Sequence, residues 1–138
     1  MTQRKTNILL VEDDELDVLN LQRAFERSNL PGPVMVAHDG VEALEILRSD
    51  AAPRDRCLVL LDLNMPRMGG LEFLQELRAD PALRSLPVVV LTTSTDECDR
   101  TAAYDLNVAG YLVKPMRFPT FVEMVSTLDQ YWSYVELP

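Results

Sequence analysis

Leu58-Val59-Leu60-Leu61-Asp62-Leu63-Asn64-Met65-Pro66 is an unbroken apolar run that stops on a carboxylate and passes at once into a loop. A strand wetted on one face alternates apolar and polar residues, so a run without alternation suits a parallel strand covered on both faces. Working outward, runs of the same kind occupy residues 8–11, 34–37, 88–91 and 111–113, and the first of them also ends on carboxylates, Glu12-Asp13-Asp14. Segments with helical spacing lie between the runs. Residues 16–28 place Val18, Leu21 and Phe25 on one face, and residues 71–78 do the same with Phe73, Leu74 and Leu77. Pro31, Gly32 and Pro33, then Pro53, then Pro81 and Pro87, punctuate the connections back into strands. Parallel neighbours need right-handed helical crossovers, which predicts an α/β doubly wound five-stranded parallel sheet in the flavodoxin-like order 2-1-3-4-5.

At 138 residues the chain has the size of one domain, and a 47% hydrophobic, 25% charged composition is that of a globular fold. Thirteen Lys plus Arg against twenty-two Asp plus Glu leave a net charge of -9, which opposes binding to nucleic acid phosphates. The apolar run near the N-terminus is too short for a signal-peptide core or a membrane span, so the chain reads as cytoplasmic, with no membrane partner. Cys57 and Cys98 form no Cys-x-x-Cys pair and read as reduced structural thiols.

Ligands of doubly wound sheets sit beyond the carboxyl ends of the strands, where the strand order reverses. In the order proposed, β-strands one and three flank that point, and they end in Glu12-Asp13-Asp14 and Asp62. Carboxylates about 4 Å apart repel by roughly 4 kcal/mol per pair at a surface-like dielectric, so a cation belongs among them. Oxygen-only ligands at an exposed sheet edge suit Mg2+. Acidic residues also cap helices, and the three at 12–14 alone would fit that role equally well. Asp62 would not, because a loop follows it.

With those residues in hand, the chain resembles the receiver domain of two-component response regulators, over residues 6–134. Glu12-Asp13 matches the family's acid pair, with Glu in the place where many relatives have Asp. Asp62-Leu63-Asn64-Met65-Pro66-Arg67-Met68-Gly69-Gly70 follows its phosphoacceptor loop, Thr92 falls after the fourth strand, and Gly110-Tyr111-Leu112-Val113-Lys114-Pro115 carries its lysine and proline. The resemblance implies one receiver domain over 1–138 with no output domain. It makes Asp62 the residue phosphorylated by a sensor histidine kinase, and gives Mg2+ the ligands Glu12, Asp13, Asp62 and the Asn64 carbonyl. Lys114 would neutralise charge, and Thr92 and Tyr111 would form a switch that follows phosphorylation. The closing segment from Tyr131 to Pro138, together with residues 90–94, is similar to small receivers that partner bacterial and cyanobacterial phytochromes.

Two other functions compete. A phosphatase of the haloacid dehalogenase type needs a second aspartate two residues after the first, where this chain has Asn64, so only slow self-dephosphorylation is expected and the chain is read as a signalling protein, not an enzyme. A pseudo-receiver would keep the fold without the chemistry, against which stand the retained site residues. His38, the only histidine, reads as structural at a strand end entering a turn, and the methionines as core or loop packing. The last helix shows two apolar stripes, Phe118, Val122, Val125 and Trp132, and Phe121, Met124, Leu128, Tyr131 and Val135. One domain face accounts for a single stripe, so the second predicts a two-fold homodimer through the C-terminal helix.

Overall fold

A computed structural model describes residues 6–28, 34–49 and 56–137. Strands β1 (Asn7–Val11), β2 (Val34–Ala37), β3 (Cys57–Leu61), β4 (Val88–Thr92) and β5 (Gly110–Val113) form one parallel sheet in the order β2-β1-β3-β4-β5. Helices α1 (Glu15–Arg27), α2 (Gly40–Arg48), α3 (Gly70–Ala79), α4 (Glu97–Asp105) and α5 (Phe118–Tyr134) alternate with the strands. The doubly wound sheet read from the sequence is therefore the observed architecture. Residues 31–33 and 53 lie outside the described residues. Pro81 and Pro87 do bracket the turns that lead into β4.

Successive strand residues point to opposite faces, which divides the core in two. Leu9, Val11, Val59, Leu61, Val88 and Val90 face α2, α3 and α4, where Leu44, Leu47, Phe73, Leu74, Leu77 and Ala103 meet them. Ile8, Leu10, Leu58, Leu60, Val89 and Leu91 face α1 and α5, against Leu21, Phe25, Phe121, Val125 and Trp132. Burial on both faces is why the strands carry no alternation. Each fully buried large apolar side chain contributes about 1.5–3 kcal/mol, so the central strands β1, β3 and β4 anchor the fold.

Two arginines close the ends of elements. Arg78, on α3, donates to the carbonyls of Arg84, Leu86, Leu106 and Asn107 at 2.7–3.0 Å, tying down the segments that precede β4 and β5. Arg56 donates to Trp132 O and Val135 O, each at 2.8 Å, and to Thr6 Oγ1 at 3.2 Å, so a guanidinium satisfies the last carbonyls of α5.

The two stripes of α5 need correction. Its buried residues are Phe121, Val125 and Trp132, drawn from both stripes, while Phe118, Val122, Met124, Leu128 and Val135 pack partly against the core. The helix presents the seam between the stripes to the sheet, so each flank is half covered and Tyr131 alone of the second stripe is well exposed, at 61%. Met116, between β5 and α5, is fully exposed and is not packing of any kind. Met65 and Met68 do pack against the core, as expected.

At the start of α3 two glycines differ in kind. A Cβ on Gly70 would stand 2.6 Å from both Asp62 O and Leu63 Cα, backbone atoms that cannot yield, whereas one on Gly69 would meet only Leu63 O at 3.5 Å. The helix is thus pressed directly onto the chain that follows β3. Gly70→Ala is expected to cost about 2 kcal/mol or more in urea unfolding, against less than about 1 kcal/mol for Gly69→Ala. Equal losses at the two positions would show that close approach is not what requires glycine at 70.

Candidate functional site

Register places the site. Val11 pairs with Leu61 and Leu91 with Leu112, so the first residues past β1 and β3 emerge side by side. The ladder runs one step further: Glu12 N–H donates to Ala37 O at 2.9 Å, Asp62 N–H to Val11 O at 3.0 Å, and Lys114 N–H to Thr92 O at 2.8 Å. Site backbone is therefore sheet backbone, and its side chains are aimed by rigid strands.

Glu12, Asp13 and Asp62 bring carboxylate oxygens within 4.8 Å of one another. Glu12 and Asp62 are buried, 1% and 6% exposed, and Asp13 stands at the open rim. Asp14 is a different case. Its Oδ1 accepts from Leu16 N–H and Asp17 N–H at 2.9 and 3.1 Å, so it caps α1. The acidic run at 12–14 thus divides into two clustered residues and one cap. Asn64 lies exposed on the following loop, its N–H donating to Asp62 Oδ1 at 3.3 Å.

Lys114, with a side chain only 5% exposed, reaches into this group. Its Nζ donates to Glu12 Oε2, to Asp17 Oδ2 at 2.8 Å and to Asp62 Oδ2 at 3.4 Å. One ammonium faces several carboxylates, and like charges at this spacing repel by about 3–4 kcal/mol per pair at a surface-like dielectric. The excess appears in protonation. Burial pushes Glu12 up to about 7, opposed by its hydrogen bond from Lys114 and assisted by the charge of Asp62. Burial also works against the Lys114 charge, but hydrogen bonds to Asp17 and Glu12 outweigh it and hold the group above the ordinary lysine range. An isolated ion pair would lower the carboxylate. Here burial, with the neighbouring charge of Asp62, outweighs the lowering effect of Lys114 on Glu12.

Thr92 is fully buried, and its Oγ1 accepts from Ser94 N–H at 3.3 Å. Tyr111 OH donates to Ser94 O at 2.9 Å. The two residues expected to form a switch are therefore joined through Ser94, whose hydroxyl in turn donates to Asp99 Oδ2 on α4 at 2.7 Å. Ser94 was not singled out from the sequence, and neither was Asp17. The signals present were weak: Ser94 precedes the α4 cap Asp96 by two residues, and Asp17 is an acid in a helix first turn, an ordinary place for one.

A second contact fixes the loop after Asp62. Arg67, at a left-handed φ of 59°, donates from Nε to Asp39 Oδ2 at 2.7 Å, and Gly40 N–H donates to Met68 O at 3.2 Å. The Arg67 guanidinium holds the Asp39 carboxyl below its ordinary value, while Asp39 Oδ1 caps α2 through Glu42 N–H. His38 Nδ1 lies 3.1 Å from Glu42 Oε2, a local contact that fits its structural reading.

All the donors gathered here are oxygens, three from carboxylates, a set that fits a hard divalent cation better than zinc or a soft metal. A buried carboxylate beside an ammonium, at the mouth of a cation-binding group, can act as a nucleophile toward a phosphoryl centre.

Comparisons with known proteins give the family of the chain. The chain is 40% identical to the "Probable methanogenesis regulatory protein FilR2" of Methanothrix harundinacea, covering 91% of this chain and 82% of that one. It is 37% identical to the response regulator Rcp1 of Synechocystis, covering 91% and 87%, and matches the structure of the Mn2+-bound form of Rcp1 with a TM-score of 0.85 over 96% of this chain and 99% of that one. The phosphorylated cyanobacterial phytochrome response regulator RcpA superposes with a TM-score of 0.87 at 37% identity, over 98% of this chain and 99% of that one. Residues 8–126 match the model of the response regulator receiver domain. This chain belongs to the response regulator receiver domain family of two-component signalling.

Proposed function

We propose that the protein is a phosphoacceptor, taking a phosphoryl group from the phosphohistidine of a sensor histidine kinase onto Asp62. The observation that carries this reading is the Asp62 carboxylate itself, buried at the end of β3, with Lys114 Nζ 3.4 Å away and Glu12 and Asp13 beside it. In the transfer an Asp62 carboxylate oxygen bonds to phosphorus, the phosphorus–nitrogen bond breaks, and the imidazole leaves with its electron pair and takes up a proton. Mg2+ bound by Glu12, Asp13, Asp62 and the Asn64 carbonyl would neutralise charge on the phosphoryl oxygens. Lys114 offers its ammonium to the same oxygens, and Thr92, at the end of β4 next to β3, offers a hydroxyl that would turn from Ser94 toward them. That turn would free Ser94 N–H and disturb the Tyr111 bond to Ser94 O, passing the charge change to α4.

Asn64 cannot serve as a general acid, which supports slow self-dephosphorylation over true phosphatase activity. A bacterial phytochrome kinase is the proposed donor. Support comes from the similarity to Rcp1 and RcpA, and from a C-terminal segment in which Trp132 is buried while Tyr131 and Tyr134 are exposed. Among the described residues no helix is long and apolar enough to cross a membrane.

A two-fold homodimer is proposed on the β5–α5 flank. Leu112, Thr120, Glu123, Met124, Thr127 and Leu128 line an open groove there, Val113 on the edge strand is half exposed, and Tyr131 lies on the same side of α5 as Met124. A second copy would cover both the apolar groove and the unpaired strand edge.

Asp62→Asn is expected to abolish phosphoryl uptake from acetyl phosphate with Mg2+, while urea unfolding without Mg2+ shows equal or slightly greater stability because one like-charge repulsion is gone. Uptake at the parent rate would remove Asp62 from the mechanism.

Cation affinity should depend on pH. Because the folded pKa of Glu12 is raised, the metal-free folded state binds a proton between about 4.5 and about 7 that the unfolded chain has lost, so this group's contribution to stability falls as pH rises through that window. Cation binding needs the ionised form, and calorimetry should therefore show Mg2+ affinity rising from pH 6 to 8 and flattening above. Asp13→Ala should weaken binding about tenfold or more at every pH and leave that slope in place. Unchanged affinity in Asp13→Ala would sink the metal site.

The dimer is tested by sedimentation of the parent and of the Met124→Glu, Tyr131→Glu double variant at tens of micromolar. The parent is expected to run as a dimer and the variant as a monomer; two monomers would end the proposal.

A further inference from the structure

Asp17 lies outside the Glu12, Asp13 and Asp62 group, yet it makes the 2.8 Å hydrogen bond to Lys114 Nζ, clearly closer than the 3.4 Å to Asp62. An ammonium has three N–H bonds, and here all three are engaged: one each by Glu12, Asp17 and Asp62. The residue read as the phosphoacceptor holds the longest and weakest of the three. A cation drawn to the carboxylate group would compete with Lys114 for Glu12 and Asp62, but not for Asp17.

Asp17 is also anchored independently of the sheet that carries Glu12 and Asp62. It is the third residue of α1, its N–H is held by the cap residue Asp14, and α1 packs along α5. Lys114 is fixed from the other side through its backbone bond to Thr92 O. A first-turn acid needs no partner beyond its own helix dipole, so the reach of this carboxylate to a buried lysine on another element is the feature that asks for an explanation.

We propose that Asp17 is a positioning residue that holds the Lys114 ammonium back from the phosphoacceptor, so that an incoming phosphoryl group must compete with it for the lysine. This rests on the phosphoacceptor reading of Asp62. A phosphoryl group on Asp62 adds acceptor oxygens but no donors, and where a cation draws Glu12 and Asp62 away from Lys114, the Asp17 contact is the one that still holds the ammonium toward α1. Asp17 thereby sets how much of the lysine's charge the phosphorylated state can use, and acts as a restraint on phosphorylation built into α1.

The test compares the parent, Asp17→Asn and Asp17→Glu at saturating Mg2+, measuring the acetyl phosphate concentration that gives half-maximal phosphorylation. Asp17→Asn removes the charge while keeping the shape, and should lower that concentration about fivefold, the scale of a partly exposed ion pair. Asp17→Glu keeps the charge and should stay within about twofold of the parent. Damage to the fold or the site would reduce phosphorylation, so a gain in Asp17→Asn is not what a purely structural role produces. If the parent is phosphorylated and Asp17→Asn is equal or poorer, or if Asp17→Glu gains as much as Asp17→Asn, the inference is overturned and the phosphoacceptor reading stands. If the parent takes up no phosphoryl group under any condition, both fall together.

Discussion

One ammonium shared among three carboxylates is the constraint on which the site turns. Lys114 can donate three hydrogen bonds, and Glu12, Asp17 and Asp62 accept them, with Asp13 at the rim adding charge but no contact to the lysine. Removing any one acid changes how the remaining charge is distributed, because the group is coupled at distances where a unit charge is worth several kcal/mol. Burial raises Glu12 to about 7, and the charge of Asp62 adds to that rise. An added cation relieves the repulsion, and so would a proton. The same few ångströms therefore suit a divalent cation and would respond to any charge added beside Asp62.

Such a cluster would spread apart if loops carried it. Here the backbone at Glu12, Asp62 and Lys114 continues the sheet ladder beyond the strands, and the strands are fixed by burial on both faces. The apolar cost of displacing β1 or β3 is of the same order as the repulsion among the acids. Leu9, Leu10, Val11, Leu58, Val59, Leu60 and Leu61 are each at most 2% exposed, and every one contributes on the order of 1.5–3 kcal/mol. Core packing thus does the work of holding like charges together. The Arg67–Asp39 pair and the close approach of Gly70 extend the same rigidity to the loop after Asp62.

Sequence and structure agree where one-dimensional pattern determines position. Asp62 was legible because an apolar strand ends on it and a loop begins, and Lys114 because it closes the fifth run ahead of a proline. Family resemblance supplied the roles, and strand ends supplied the places. Asp17 was not legible. As an acid in a first turn it looks like helix capping, and only the rotation of α1 against β5 brings it to Lys114, a quantity set by packing against α5. Helix phase misled again in α5, where both apolar stripes are real but the sheet takes the seam between them, burying Phe121 from one and Val125 and Trp132 from the other. Periodicity gives the width of an apolar face. It does not give the direction in which that face points.

Ser94 shows how a change at the acids could leave the site. All its polar atoms are committed: N–H to Thr92 Oγ1, carbonyl to Tyr111 OH, and hydroxyl both to Asp99 on α4 and from the Asp96 N–H that begins that helix. A residue so placed cannot follow Thr92 without pulling on Tyr111 and on the first turn of α4 together. Lys114 is bonded through its backbone to Thr92 O, so the ends of β4 and β5 are joined here. On the α1 side, Asp17 ties the same lysine to a helix that packs along α5. The ammonium therefore stands between two sets of contacts, one through Thr92 and Ser94 to α4 and one through Asp17 to α1, and under the proposed function a group that draws it toward Asp62 would act on both.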